Sequence, residues 1–497
     1  LVGSEMCIRD RYYTNDRSNI CSIIIRLEDD ITMKKTVCEL FAGVGGFRCG
    51  LNNINKNVKY SEKNIEKEKW KTVWFSQWEP AEKTTQYAHD CYVYHFGTCL
   101  DKNNQDTTNI NIEDVDKSAI PDFSLLVGGF PCQDYSVASS LASSKGLEGK
   151  KGVLWWSIRE ILEKKQPPFV LLENVDRLIK SPAKQKGRDF GIILACFRDE
   201  GYTVEWRVIN AAEYGYQQRR RRTFIFAYKN TTQYAAKINN LVNYKSQFGD
   251  ELHRHNMSQI MSEDGFFAKT FPVNSIDNKK IKIVKLPAGI GEISSHFSFN
   301  FENTGVMKDG VIYTIKTVPD YQGEQVTLGD IMETGYVDEK YFIPEERLYY
   351  TNPDITHSDE LRERLPKEAR QTWQYIKGAK KLSRKASSGH EYIFSEGAVP
   401  MIDSYDKPAR TMLTSEGGFS RTTHIVKDKK TGKIRLLTAE ETERIQGFPT
   451  GHTQNCMVNG KVVQMPENKR RFMMGNALVV DLIKDMERTL NIIVEDE

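Results

Sequence analysis

No stretch of the chain is apolar for the roughly 20 residues that a bilayer-spanning helix requires. The longest apolar runs, such as Cys21 to Ile25 and Ser124 to Phe130, fall far short, so a membrane-spanning helix is not expected. No secretory signal is evident. The nine cysteines include no C-x-x-C pair and their number is odd, which argues against a structural zinc site and against a disulfide framework; a reduced, cytoplasmic setting is expected, with no metal. Neither sign of charge dominates, since 70 basic residues face 67 acidic ones for a net +3. A polyanionic partner is therefore neither demanded nor excluded by composition and must be argued from local clusters. Two exist: the unbroken run Arg219 to Arg222, and Lys377, Lys380, Lys381, Arg384 and Lys385 within a short polar segment. Taken alone, each reads as a solvated face. The absence of Gly-Lys-Ser/Thr argues against a triphosphate-binding loop.

What is present is a chain of 497 residues with 39% hydrophobic content, enough for two or three domains. Residues 1–32 carry no periodicity that leads into the strand after them, and Met33 reads as the natural start, so 1–32 is expected to be extraneous or disordered. From Met33 to Tyr228, strand-like segments (Thr36 to Phe41, Val73 to Gln77, Ser124 to Val127, Phe169 to Leu172, Thr203 to Asn210, Thr223 to Ala227) alternate with helix-like ones. Leu154, Ile158, Ile161 and Leu162 recur at helical spacing, as do Ile192, Ile193, Cys196 and Phe197. This is an α/β pattern, predicting a Rossmann-like, mostly parallel sheet with helices on both faces and ligands at the carboxyl ends of its strands. Beyond Tyr228 the text turns polar, with short β-rich pieces such as Lys280 to Leu286 and Gly310 to Ile315. A smaller β-rich domain is predicted over 229–467, containing a capping box at Thr438 and Glu441. A helical tail over 468–497 is predicted to return to the first sheet.

The chemistry gathers at strand ends. Gly128-Gly129-Phe130-Pro131-Cys132-Gln133 ends an apolar strand in a glycine turn that presents one cysteine beside a proline, and Glu173-Asn174-Val175 ends another. A thiol and a carboxylate at one sheet edge suggest covalent catalysis. By itself Cys132 reads as a small buried hydrophobe, and Glu173 as a surface acid or a cap; one site explains both together. Glu39 to Phe47 is a strand followed by a glycine loop, where Gly43 and Gly45 let a backbone approach a ligand and Phe41 can stack on a flat ring. Some 30 residues on, Trp78 and Glu79 offer an indole face and a carboxylate suited to ribose hydroxyls. Together they outline a nucleoside pocket. Ser136 to Gly152 reads as a small-residue loop able to close over a ligand.

In family order, these motifs resemble those of the DNA (cytosine-5)-methyltransferases. Phe41-Ala42-Gly43-Val44-Gly45-Gly46 resembles the family's S-adenosylmethionine loop, Pro131-Cys132-Gln133 its nucleophile motif, Glu173-Asn174-Val175 its acid motif and Gln218 to Arg222 its cytosine-clamping motif. Arg444 to Pro449 and Gly475-Asn476-Ala477 complete the series. The resemblance implies S-adenosylmethionine as cofactor, held by Phe41, Gly43, Gly45, Trp78, Glu79, Pro131, Asn476 and an adenine-contacting residue that is either Asn111 or Asp114. It implies double-stranded DNA as substrate and Cys132, Glu173, Arg220 and Arg222 as the catalytic set, with Cys132 adding to carbon 6 of a flipped-out cytosine. Arg220 and Arg222, at alternate positions, would share one side of a strand. Arg221 stands where the family commonly has an acidic residue. The interval 229–405 matches no motif and corresponds to the family's variable target-recognition region. A prokaryotic or phage restriction-modification enzyme is expected, with a cognate restriction endonuclease and a monomeric state. Two other readings are an RNA cytosine methylase on the same scaffold, against which the long variable interval weighs, and a DNA-binding repressor with little catalysis.

Overall fold

The computed structural model describes residues 33–54, 68–80, 85–130, 154–241, 251–350, 367–386 and 389–497. The leader 1–32, the Pro131-Cys132-Gln133 motif and the loop 136–152 lie outside the described residues.

A nine-stranded sheet organises the chain. Its strands are β1 (Thr36–Leu40), β2 (Lys71–Ser76), β3 (Leu125–Gly129), β4 (Phe169–Val175), β5 (Tyr202–Asn210), β6 (Arg221–Lys229), β7 (Lys282–Lys285), β8 (Thr304–Lys308) and β9 (Val311–Ile315), in the spatial order β2-β1-β3-β4-β6-β5-β8-β9-β7. The pairs β1–β2, β1–β3 and β3–β4 are parallel, whereas β6 runs antiparallel to both β4 and β5. Five of the first six strands thus share one direction. Because β1 is flanked by β2 on one side and β3 on the other, the connections diverge between β1 and β3. That divergence opens a crevice at the carboxyl ends of those strands.

Both faces of the central strands are apolar, and alternate side chains serve opposite cores. Val37, Leu125, Val127, Phe169, Leu171 and Phe226 join one core with Leu482, Ile483, Met486 and Leu490 of the C-terminal helix (Val480–Glu495). Cys38, Leu126, Val170, Leu172 and Ile225 join the other. This second core is closed by Ile158, Ile161 and Leu162 of the helix Trp155–Lys165 and by Ile192, Ile193 and Phe197 of Arg188–Asp199. Each such buried side chain contributes roughly 1.5–3 kcal/mol. The C-terminal helix approaches the helix after β1 (Gly46–Leu51) so closely that a Cβ on Gly50 would lie 2.4 Å from Ile483 Cβ.

The sheet does not stop at Tyr228. β8 pairs antiparallel with β5, from Val204↔Met307 to Arg207↔Thr304, and β9 and β7 follow outward. The short β pieces expected to belong to the second domain therefore cover what would otherwise be an open edge of β5. Asp309 (φ 50) and Gly310 (φ 77) make the two-residue turn between β8 and β9, with the left-handed backbone that Asp-Gly favours. Beyond the sheet, the described residues form three two-stranded ribbons: β10 (Lys380–Lys385) with β11 (Glu391–Glu396), β12 (Ile425–Lys427) with β13 (Ile434–Leu436), and β14 (Asn455–Val458) with β15 (Lys461–Gln464). Thr438 and Glu441 form a reciprocal capping box on the helix Ala439–Ile445.

Candidate active site

The glycine loop leaves β1 with Phe41 at φ 54 and Gly43 at φ 57, a left-handed path that a bulky side chain such as Phe41 rarely takes. Three bonds fix it: Ala42 N–H to the Ser76 carbonyl (3.0 Å), Gly45 N–H to the Ala42 carbonyl (2.9 Å) and Gly43 N–H to Gln77 Oε1 (2.8 Å). A Cβ on Gly43 would meet nothing within 4 Å, whereas one on Gly45 would lie 2.6 Å from the Phe96 ring. The loop is thus open toward the crevice at Gly43 and packed shut behind at Gly45. Trp78 and Glu79, both half-buried, follow β2 at the same edge, and Glu79 exchanges backbone bonds with the Gln86 amide. Gln77 N–H bonds to the Thr108 carbonyl, which draws the 106–111 segment alongside. There Asn111 is half-buried and caps a short 3-10 turn, while Asp114 is exposed.

Glu173 and Arg222 meet across β4 and β6, with Arg222 Nε 2.7 Å from Glu173 Oε1 and both side chains largely buried. The register explains the pairing: Val175 faces Arg222 and Glu173 faces Phe224, so acid and base are diagonal neighbours on one face. Gly129 of β3 pairs with Glu173, and a Cβ on Gly129 would stand 3.2 Å from Glu173 Oε2. Asn174 donates from Nδ2 to the Phe130 carbonyl at 2.8 Å, fixing the chain immediately before Pro131. The carboxylate expected to act on the base therefore lies one strand from the point where the chain enters the Cys132 motif.

A third cluster supports the loop from behind. His452 Nε2 lies 2.7 Å from the Val44 carbonyl, its ring stacks on His95 with centroids 4.1 Å apart and 4° between planes, and its Nδ1 is buried without a partner. Burial pushes the His452 imidazole down to about 4 and that of His95 to about 3, the latter helped by the neighbouring ring, so both are neutral. With Cys91 they bring ligand atoms within 4.8 Å of one another. Rings in parallel planes cannot aim their in-plane lone pairs at one ion, so this geometry suits packing rather than chelation.

The chain matches, over residues 35–491, the model of the family described as C-5 cytosine-specific DNA methylase. It is 40% identical over 451 residues to Type II methyltransferase M.Sau3AI of Staphylococcus aureus, covering 90% of this chain and 94% of that one. The chain belongs to the C-5 cytosine-specific DNA methylases. It is also 35% identical over 196 residues to M.NgoBI of Neisseria gonorrhoeae (39% of this chain, 51% of that one). A third relative, M.HhaI of Haemophilus parahaemolyticus, is 28% identical over 207 residues (42% and 53%). The long match reaches into the interval 229–405 that the motifs leave blank, since about nine-tenths of the chain is covered. The sheet is that of a class I methyltransferase, DNA cytosine is the substrate, and S-adenosylmethionine is the methyl donor. Among the described residues no helix is long and apolar enough to cross a membrane.

In this C-5 cytosine methylase the glycine loop is open at Gly43, and half-buried Phe41 in that loop with half-buried Trp78 and Glu79 just after β2 make a residue set whose chemistry fits a nucleoside-bearing cofactor. Arg220 differs from the expectation of two arginines side by side on a strand. It precedes β6 and is fully buried, donating to the Met412 carbonyl (2.9 Å) and the Gly475 carbonyl (3.0 Å), while Arg222 turns to Glu173. Desolvation, then the charge of Arg222, hold the Arg220 guanidinium down to about 9. Arg221 is exposed, 3.7 Å from Asp176. Asn476, at the end of the helix Glu467–Asn476, is exposed, whereas a Cβ on its neighbour Gly475 would strike the Leu413 backbone at 2.4 Å. The sequence gives no separate role to Asn174, although it stands inside the acid motif, or to Gln77, which ends the strand before Trp78; His452 carries no local signal at all.

Proposed function

We propose that the protein methylates carbon 5 of a flipped-out cytosine within a specific duplex sequence, using Cys132 as nucleophile. The observation that supports this reading best is the Glu173–Arg222 pair, one strand from the Gly128-Gly129 turn that leads into Cys132. The Cys132 thiolate adds to carbon 6 of the ring, making carbon 5 nucleophilic, and Glu173, acting in its protonated form, donates a hydrogen bond to ring nitrogen 3 as charge develops there. Arg222 orients Glu173 and reaches the pyrimidine oxygen. Arg220 positions that strand by tying it to Met412 and Gly475. S-adenosylmethionine, when bound, would supply the electrophilic methyl group to carbon 5, its sulfonium sulfur leaving as the neutral thioether of S-adenosylhomocysteine. Its holders are Phe41, Gly43, Gly45, Trp78, Glu79, Pro131 and Asn476, with Asn111 or Asp114 at the adenine. Loss of the carbon 5 proton then lets Cys132 leave.

Extracting the base costs roughly a few kcal/mol, which contacts from the target-recognition region must offset. Residues 33–228 and the returning segment 468–497 form the catalytic domain in this reading, with the strands of 282–315 completing its sheet, and the remainder of 229–467 carries target recognition. In this reading the protein is a cytoplasmic, monomeric modification enzyme that works beside a cognate restriction endonuclease. Labelled methyl transfer to duplex DNA and to transfer RNA, with wild type and Cys132→Ser, tests the reading: transfer to duplex DNA alone, abolished in the serine variant, is expected. Retained transfer by Cys132→Ser contradicts the nucleophile assignment.

A further inference from the structure

One charged face of the β10–β11 ribbon has no ion-pair partner among the described residues. Its pairs alternate, so Lys380, Leu382, Arg384, Tyr392, Phe394 and Glu396 lie on one face, and Lys381, Ser383, Lys385, Glu391, Ile393 and Ser395 on the other. The first face is anchored at its base. Glu396 pairs with Arg421 at 2.7 Å, Lys380 Nζ donates to the Ile376 carbonyl at 2.9 Å, and Val399 N–H bonds to the Lys377 carbonyl at 2.9 Å. The second face is exposed throughout, Ile393 at 64%. A lone two-stranded ribbon is marginal in water and gains nothing by displaying an isoleucine. Lys381, Arg384 and Lys385 form no ion pair with described residues, and across Lys380–Glu396 four cations face two carboxylates, one of which, Glu396, is engaged at the base.

The anchoring leads to the catalytic wall. Arg421 belongs to the segment that continues from Met412, whose carbonyl holds Arg220, through Gly417, where a Cβ would lie 2.3 Å from Arg471 Nε. Ribbon and cytosine-clamp strand thus share one support.

We infer that the β10–β11 ribbon enters the major groove of the duplex, with Lys381 and Lys385 on phosphates and Ile393 against a base edge. This rests on the proposed duplex-DNA reading. A B-form major groove, about 12 Å wide, admits a two-stranded ribbon, and thymine methyl groups there offer an apolar contact that suits Ile393. Phosphate contacts supply register, and the apolar contact supplies discrimination.

The test begins with wild type, mapping methylated cytosines on a plasmid by bisulfite sequencing; fluorescence anisotropy then uses a duplex carrying the mapped site and a scrambled duplex. Lys381→Ala/Lys385→Ala is expected to weaken both duplexes about tenfold at 0.1 M salt and to reduce the salt slope by about 2. Ile393→Ala is expected to cut the ratio between the two duplexes about fivefold with the salt slope unchanged. Calorimetric binding of S-adenosylmethionine should match wild type in both variants. Unchanged DNA affinity, slope and discrimination overturn the inference, as does a parallel loss of cofactor binding, which would make the ribbon scaffold. A wild type that methylates no duplex removes the underlying reading instead.

Discussion

Glu173 and Arg222 hold each other at 2.7 Å in a largely buried site, so each orients the other. Glu173→Gln is expected to slow methyl transfer by about 10²–10³-fold, the usual scale for a positioned acid or hydrogen-bond donor. Cofactor affinity should stay within about twofold of wild type, since no described bond joins Glu173 to the glycine loop; single-turnover transfer beside calorimetric titration checks both, and lost cofactor affinity would move Glu173 to the other pocket. Arg220 belongs to another category of effect. Truncating it strands the buried carbonyls of Met412 and Gly475, so Arg220→Ala is expected to cost about 2–4 kcal/mol in urea unfolding, more than Arg222→Ala. The difference between these arginines was not legible in the sequence. Both sit in one motif, and only partners 192 and 255 residues away commit Arg220 to the scaffold.

The glycine loop was legible as an element because its glycines meet real backbone and packing demands at φ 57 and φ 87. Its support was not, because the Val44 carbonyl is held from 408 residues away by His452. That contact has a pH signature. His452 titrates at about 4 in the folded protein against 6.5 ordinarily. The unfolded chain therefore binds a proton that the native one refuses, and stability is lost as pH falls from about 6.5 toward 4, by up to about 1.4 kcal/mol per unit. Glu39, pushed up to about 7 chiefly by burial, acts with the opposite sign, its contribution being lost as pH rises from about 4.5 to 7. Comparison with His452→Gln separates the two, because the amide can still donate to Val44 but does not charge. Thermal midpoints of the variant should fall less steeply than those of wild type between pH 6.5 and 4; parallel curves would remove His452 from the account. Two hairpins carry plain local signals, Asp309-Gly310 and Asn459-Gly460, all at positive φ.

Over the whole molecule, the order of the motifs disclosed the catalytic half, but not how far its sheet extends. β7, β8 and β9 are short and antiparallel, with nothing in their text to say which strand they pair with, yet β8 closes the edge of β5. Replacing residues 316–405 by those of a relative, which leaves 282–315 on the sheet, is expected to change the methylated sequence while keeping the fold; unchanged specificity on bisulfite maps would place target reading elsewhere. Replacing 229–405 entire should also change specificity, but at a cost in stability wherever the donor supplies no strand for β5. All of these expectations converge on one transient bond between protein and pyrimidine. The most direct measurement is to incubate the enzyme and S-adenosylmethionine with a duplex carrying 5-fluorocytosine at the target position, then map the cross-linked peptide by mass spectrometry. A covalent complex joined through Cys132 is predicted; an adduct at another residue, or none from an enzyme fully active on ordinary cytosine, would contradict the account.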